Sequence, residues 1–245
     1  MAGKTVVITS GTSGIGACIV KKIFSEAEVE QMFINYGHDD AAAERLKAEL
    51  PESVRERVHL VKADMSTEEG LAYLIGEIQA RAQQIDWLIC NTGIGTYKKF
   101  EEYTIEMWNH ILTTNVTIPV FLIKGLKKLF RKGGKIVFMS SYAGIVPYSS
   151  SLVYGTSKAA VCFIAKALLK EFDGQNVAVN AIAPGFIETR WQDGRSDESR
   201  ERINAKVASH RFGKPEEVAK LCYDILTNDY INGTVIEITG GYGYF

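Results

Sequence analysis

Seven short apolar runs separated by helix-length segments constrain this chain more than any other feature. The runs are TVVIT at 5–9, QMFINY at 31–36, RVHLVKA at 57–63, IDWLIC at 85–90, KIVFMS at 135–140, VAVNAIA at 177–183 and TVIEIT at 234–239. Most read as strands covered on both faces. The segments between them place apolar residues at helical spacing, as Ala17, Val20 and Phe24 do in the first and Leu46 and Leu50 in the second. Such alternation predicts an α/β fold: a doubly wound, seven-stranded parallel sheet with helices on both faces. The 245 residues contain no repeat, low-complexity tract or Pro-rich linker, so residues 1–245 are expected to form a single domain around one core.

One segment breaks the rhythm. Residues 185–214, GFIETRWQDGRSDESRERINAKVASHRFGK, are long, polar and charged, and read as a substrate flap with a helix inside it. Its charge run cannot itself build a core, so the flap is expected to be loosely held until Phe186 and Trp191 close over a ligand.

Composition narrows the partners. Lys+Arg 28 against Asp+Glu 29 gives a formal charge of -1, which provides no net basic field for nucleic acid or an anionic membrane. Cys18, Cys90, Cys162 and Cys222 form no close pair, and His38, His59, His110 and His210 are dispersed, so neither a metal site nor a redox motif is expected. The opening MAGKTVVITSG reaches glycine and serine too soon for a signal-peptide core, and no apolar run approaches a membrane span. The expectation is a soluble cytoplasmic protein acting on a small molecule.

Two stretches carry candidate chemistry. TSGTSGIG at 9–16 lies between the first strand and first helix, where backbone N–H groups and a helix N-terminus can meet a pyrophosphate. Glycines there equally serve a tight turn, so this turn alone leaves cofactor binding open. In SLVYGTSKAAVCFIAKALLKEF, Tyr154 and Lys158 are four apart and share a helix face. A phenol of ordinary pKa ~10 is a poor base at neutral pH, and a neighbouring ammonium favours its phenolate. Ser141, thirteen residues before Tyr154, ends a strand at the edge where such sheets bind ligands.

Over essentially its whole length the chain resembles the short-chain dehydrogenase/reductases. The likeness rests on Ser141, Tyr154 and Lys158 in a Ser…Tyr-x-x-x-Lys pattern, CNTG at 90–93, Asn115 in TTNVT, NAIAPGFIET at 180–189 and RFGKPEEVA at 211–219. It implies a Rossmann-type oxidoreductase that moves hydride between a nicotinamide and a carbonyl or secondary alcohol, with Asn115, Ser141, Tyr154 and Lys158 catalytic. Ser141 would hold the substrate oxygen, Tyr154 transfer a proton, and Lys158 tune Tyr154 and bond ribose. Asn115 would hold a relay water, although among Ile111, Leu112 and Val116 it also reads as a satisfied core asparagine. The implied cofactor site comprises Ser10, Ser13, Gly14, Ile15, Gly16, Tyr36, His38, Asp64, Asn91, Gly93, Tyr154, Lys158, Pro184, Gly185, Ile187 and Thr189. Asp64 would meet the adenine or cap the helix beginning near Thr67; Thr189 would hold the carboxamide. Substrate would lie against Ser141, Tyr148, Tyr154, Phe186 and Trp191.

The chain departs from the family pattern Thr-Gly-x-x-x-Gly-x-Gly at Ser10, which stands at the first glycine, and at Thr92, which replaces an alanine. If the position of Ser10 needs a positive φ, serine is strained there. The second strand ends FINYGHDD with no acid at Tyr36, so NADP(H) is favoured over NAD(H), with Ser13, Tyr36 and His38 as phosphate neighbours; Asp39 and Asp40 would repel it if they pointed inward.

Within the family the chain is most similar to 3-oxoacyl-carrier-protein reductases, which implies a β-keto thioester substrate. Lys127, Lys128, Arg131 and Lys132 would meet an acidic carrier protein or simply suit a helix C-terminus. The alternatives are a free sugar, polyol or steroid alcohol as substrate and, from another class, a cofactor-binding sensor or scaffold without turnover, which Ser10 alone supports. A homotetramer is expected from the apolar helix at 152–172, with Val161, Phe163, Ile164, Ala167 and Leu168, and from the aromatic end YGYF.

Overall fold

In a computed structural model describing residues 3–96, 98–147 and 151–243, all seven runs are strands of one sheet. They are β1 (Lys4–Ile8), β2 (Val29–Tyr36), β3 (Val58–Lys62), β4 (Ile85–Cys90), β5 (Phe130–Met139), β6 (Ala178–Pro184) and β7 (Val235–Ile238). Their order is β3-β2-β1-β4-β5-β6-β7, and every pairing is parallel. The helices are α1 (Gly14–Glu26), α2 (Asp40–Glu49), α3 (Glu52–Arg55), α4 (Glu68–Arg81), α5 (Ile105–Leu112), α6 (Ile118–Leu126), α7 (Leu152–Ala167), α8 (Asp197–Asn204) and α9 (Pro215–Thr227).

The unbroken apolar runs are the cause of this arrangement. Every residue of β4 and β6 is buried, because helices cover both faces of the sheet. One layer packs Phe33, Leu74, Leu88, Leu122 and Phe138; the other packs Ile19, Met32, Ile89, Ile182 and Ile225. β7, at the edge, is only half-buried. Strand order reverses at β1, which lies between β2 and β4, and this opens a crevice beyond the carboxyl ends of those strands.

Three sequence expectations change. β5 begins at Phe130, well before its apolar run, and passes Gly133, whose φ is +82°. α7 and the turn after it, Leu152–Phe172, make a 21-residue helical stretch of mean hydropathy 1.4, long and apolar enough for a membrane span, where the sequence reading allowed none. Its inner face packs Val161 and Ala165 against the sheet and delivers buried Ser157 and Lys158 to the crevice. Finally, Lys127, Lys128, Arg131 and Lys132 sit at the start of β5, whereas Ser141 follows its end; ten residues of strand put ~30 Å between them. Arg131 pairs with buried Asp86 at 2.8 Å and Lys127 with Glu171 at 3.1 Å.

Candidate active site

The turn after β1 resolves the departure at Ser10. Its φ is +49°, so the serine adopts the left-handed conformation that glycine would take freely. The strain, of order ~1–2 kcal/mol, has a local counterweight. Ser10 Oγ and Thr92 Oγ1 lie 2.7 Å apart in a hydroxyl–hydroxyl hydrogen bond, so the two residues that depart from the family pattern bond to each other. Ser10 N–H donates to Asn35 Oδ1 at 3.3 Å, and Asn91 Nδ2 donates to Ser10 O at 2.9 Å. Thr9 Oγ1 accepts from the N–H groups of both Asn91 and Thr92 at 3.0 Å. Asn35, wholly buried and missed by sequence reasoning, also donates to Ala63 O at 2.9 Å, tying the turn to β3. A side chain at Gly16 would strike Ser10 O and come within 2.8 Å of Asn91 Nδ2, so only glycine lets α1 start here. Ser13 makes no side-chain cap on α1 and no acid occupies its first turn, so the helix presents open N–H groups to an anion.

The candidate catalytic residues are held by a second buried network. Lys158 Nζ donates to Met139 O at 2.8 Å and lies 5.7 Å from the Tyr154 ring centroid. Burial pushes the Lys158 ammonium down to about 8. Ser140 Oγ donates to Lys158 O at 2.9 Å, while Ser141 Oγ accepts from Ala143 N–H at 3.2 Å. Asn115 lies in a π-helical turn, Thr113–Thr117, not in regular α-helix. Its Oδ1 accepts from Ile94 N–H at 2.8 Å, and its Nδ2 donates to Ile94 O at 2.8 Å and Ser157 Oγ at 2.9 Å. Ser157 Oγ in turn donates to Tyr154 O at 2.7 Å. Both amide hydrogens of Asn115 therefore serve to fasten the loop after β4 to the catalytic helix.

A cavity of about 730 Å³ joins the two networks. Its wall includes Ser10, Ser13, Gly14, Ile15, Asn91 and Gly93, then Ser141, Tyr154 and Lys158, and Pro184, Gly185, Ile187 and Thr189, the last of these beside Gly14. Phe186 and Trp191 line the far end, with the Trp191 ring 5.6 Å from that of Tyr154. Gly16 packs beneath the turn, and Tyr36, His38, Asp64 and Asn115 are not on the cavity wall. Tyr148 lies outside the described residues.

The specificity loop after β2 is resolved by pairing. Tyr36 Oη donates to Asp40 Oδ1 at 3.0 Å, and Asp40 pairs with Lys62 at 2.7 Å. Asp39 caps α2 by accepting from Ala42 N–H at 2.9 Å and pairs with Arg190 at 3.0 Å. Both acids that opposed a phosphate are thus matched by cations. Asp64 accepts from Ser66 N–H at 2.9 Å, which holds its carboxyl below the usual range, and Thr67 caps α4. Sequence reasoning missed Arg45, which lines a second cavity of about 210 Å³ with Ser13, Gly14, Ala42 and Arg190. Nothing in the sequence marks it, because only the packing of α2 beside the turn brings it there.

The 185–214 segment contains a 3₁₀ turn, Arg190–Gln192, and α8. Within it Ile203, Val207 and Phe212 are buried in a small core with Tyr142 and Tyr242. The segment supplies too few apolar residues alone, and the two tyrosines from elsewhere complete the cluster.

The profile of the short chain dehydrogenase family matches residues 4–200. The chain is 33% identical over 248 residues to a 3-oxoacyl-[acyl-carrier-protein] reductase of Aquifex aeolicus, with 98% of each chain covered. It is 28% identical to glucose 1-dehydrogenase 2 of Bacillus subtilis, over 98% of this chain and 95% of that one. Among solved structures it is similar to the RhlG/NADP active-site complex of Pseudomonas aeruginosa, with a TM-score of 0.89, 29% identity, and 98% and 96% of the chains covered.

Proposed function

Since the chain belongs to the short chain dehydrogenase family and is an NAD(P)-dependent oxidoreductase of CH–OH or carbonyl groups, we propose that it reduces the 3-oxo group of an acyl thioester with NADPH. The observation that carries this reading is the single cavity running from the uncapped start of α1 to Ser141, Tyr154 and Lys158. The likeness to the Aquifex reductase supports the thioester, and that to the RhlG/NADP complex supports the cofactor. Arg45 beside Ser13, in a hollow where Arg190 is paired with Asp39 and Glu49 with Lys21, supports a 2′-phosphate there. A free sugar is the second reading, favoured by the likeness to glucose 1-dehydrogenase 2.

A bound nicotinamide supplies or accepts the hydride; the protein does the rest. The N–H groups of Gly14 and Ile15 would hold the pyrophosphate, helped by the α1 dipole, and Thr189 would hold the carboxamide. Lys158, next to Gly93, would hold the ribose hydroxyls. Ser141 Oγ holds the substrate carbonyl oxygen, Tyr154 gives it a proton, and the Lys158 charge stabilises the phenolate left behind. Asn115 and Ser157 hold these groups in register. The exposed faces of Ile105, Phe121, Leu152 and Phe163 support a homotetramer, and the four free cysteines suit a reducing cytoplasm.

Assays with NADPH and NADH against acetoacetyl thioesters and glucose test the reading. Thioester reduction with NADPH preferred at least about tenfold is expected, and Arg45→Ala with Arg190→Ala should shrink that preference by a similar factor. Equal use of NADH, or oxidation of glucose alone, overturns it.

A further inference from the structure

We infer that the substrate carries an anionic group, carboxylate or phosphate, which Arg202 and Lys206 receive at the flap end of the active-site cavity. The inference rests on the reductase reading and names a property of its substrate.

Among the described residues the cavity wall holds five cations, Lys158, Arg190, Arg195, Arg202 and Lys206, and no carboxylate. The chain as a whole has a formal charge of -1, so composition does not explain this concentration. Lys158 belongs to the catalytic network, and Arg190 is paired with Asp39. The other three come from one stretch of the flap that is otherwise rich in acids. Those acids are directed elsewhere: Glu188 pairs with Arg200, and among the described residues no ion pair joins Arg195, Arg202 or Lys206 to a carboxylate.

Arg195 is fixed by neutral groups. Its Nε donates to Gln192 Oε1 at 2.9 Å, its Nη1 to Ser199 Oγ at 3.1 Å, and its guanidinium lies 5.6 Å from the Phe186 ring centroid. Its position is therefore set while its charge is left uncompensated. Arg202 lies in the last turn of α8 and Lys206 in the turn just beyond it; both are exposed side chains on the wall of the same cavity. The same wall carries Phe186, Trp191, Ile203 and Tyr242, an apolar and aromatic surface. Tyr242 registers the field: burial raises its phenol, and the charge of Arg202 pulls the other way.

The cavity thus recognises a carbonyl at Ser141 and Tyr154, an apolar stretch, and a terminal anion. That anion is either a carboxylate on the substrate's own chain or a phosphate of a coenzyme or carrier arm. The basic cluster at 127–132 lies at the opposite end of β5 from Ser141 and cannot serve this end of the cavity.

The test is steady-state kinetics of the full chain at saturating NADPH with three ketones: acetoacetyl-N-acetylcysteamine, which is neutral, acetoacetyl-CoA, and a keto acid with a free carboxylate. The double variant Arg202→Gln, Lys206→Gln should lose about 10- to 100-fold in kcat/KM, mainly through KM, on the anionic ketone that fits, and much less on the neutral thioester. Loss confined to the CoA thioester identifies a phosphate; loss confined to the keto acid identifies a carboxylate. A readout free of mutation is salt: KM of the unaltered enzyme should rise with NaCl for the anionic ketone alone. Equal losses on all three ketones, or no loss on either anion, overturn the inference. Thioester reduction with neither effect leaves the reductase reading intact without it. Sensitivity on the keto acid with no thioester reduced leaves the anion subsite standing and removes the thioester.

Discussion

At the cofactor end of the cavity the walls are main chain and short buried polar groups, fastened by Thr9, Ser10, Asn35 and Asn91; at the flap end they are long side chains, Trp191, Arg195, Arg202 and Lys206. The first end presents hydrogen-bond donors whose positions follow from a strand, a tight turn and a helix start. The second presents charge and apolar area on side chains that one surface segment can exchange without disturbing the sheet. The difference teaches that one end is fixed by main chain and buried polar bonds while the other is set by exchangeable side chains, so changes at the flap end should alter specificity with little effect on kcat.

The strongest way to break that division is at Tyr154. Tyr154→Phe removes the proton donor and leaves the ring that meets Trp191. Turnover is expected to fall ~10²–10⁴-fold, with NADPH affinity within about threefold by fluorescence titration. Anionic and neutral ketones should lose the same factor, because the phenol acts on the carbonyl that all share. Turnover within threefold of the unaltered enzyme would remove Tyr154 from the chemistry.

The same division decides what was legible in the sequence. All seven strands were, because runs covered on both faces carry no competing pattern; the shared helix of Tyr154 and Lys158 was too, since their spacing of four survives translation into α7. Asn35 was not: a single asparagine in FINYG gives no sign that it will sit beneath Ser10 and β3. The bond between Ser10 and Thr92 was also hidden, since 82 residues separate two substitutions that become intelligible only together. Arg45, Arg202 and Lys206 read as solvated charges, because helical periodicity says which residues share a face but not what the face will meet.

A smaller effect comes from pH. Lys158 is lowered from an ordinary 10.5 to about 8 by burial, so between those values the unfolded chain holds a proton that the folded chain does not. Its contribution to stability is therefore least below about 8 and rises with pH across that window. Activity should move the opposite way: once the ammonium is lost the phenolate has no counter-charge, and kcat/KM for NADPH should fall up to about tenfold per pH unit above the free-enzyme pKa. Denaturation of Lys158→Met alongside the unaltered enzyme should show the stability difference shifting in favour of lysine as pH rises. A flat kcat/KM between pH 7 and 9.5 would mean that the charge of Lys158 is not needed.

The smallest expected effect sharpens the cofactor end. Ser10 combines a φ of +49° with a hydroxyl bond to Thr92, two terms of similar size and opposite sign. Ser10→Ala keeps the strain and loses the bond, and should destabilise by ~1 kcal/mol in urea denaturation. Ser10→Gly loses the bond but relaxes the turn, and should fall within ~0.5 kcal/mol of the parent. Thr92→Ala should cost ~1 kcal/mol beside Ser10 and clearly less beside glycine, which gives the cycle a measurable coupling. NADPH affinity should change less than about threefold throughout, because Asn91 and Asn35 still hold the main chain of residue 10 where the helix start needs it. A tenfold gain in NADPH affinity for Ser10→Gly would show instead that the serine distorts the phosphate turn, and that the bond to Thr92 restores stability without restoring the geometry the cofactor meets.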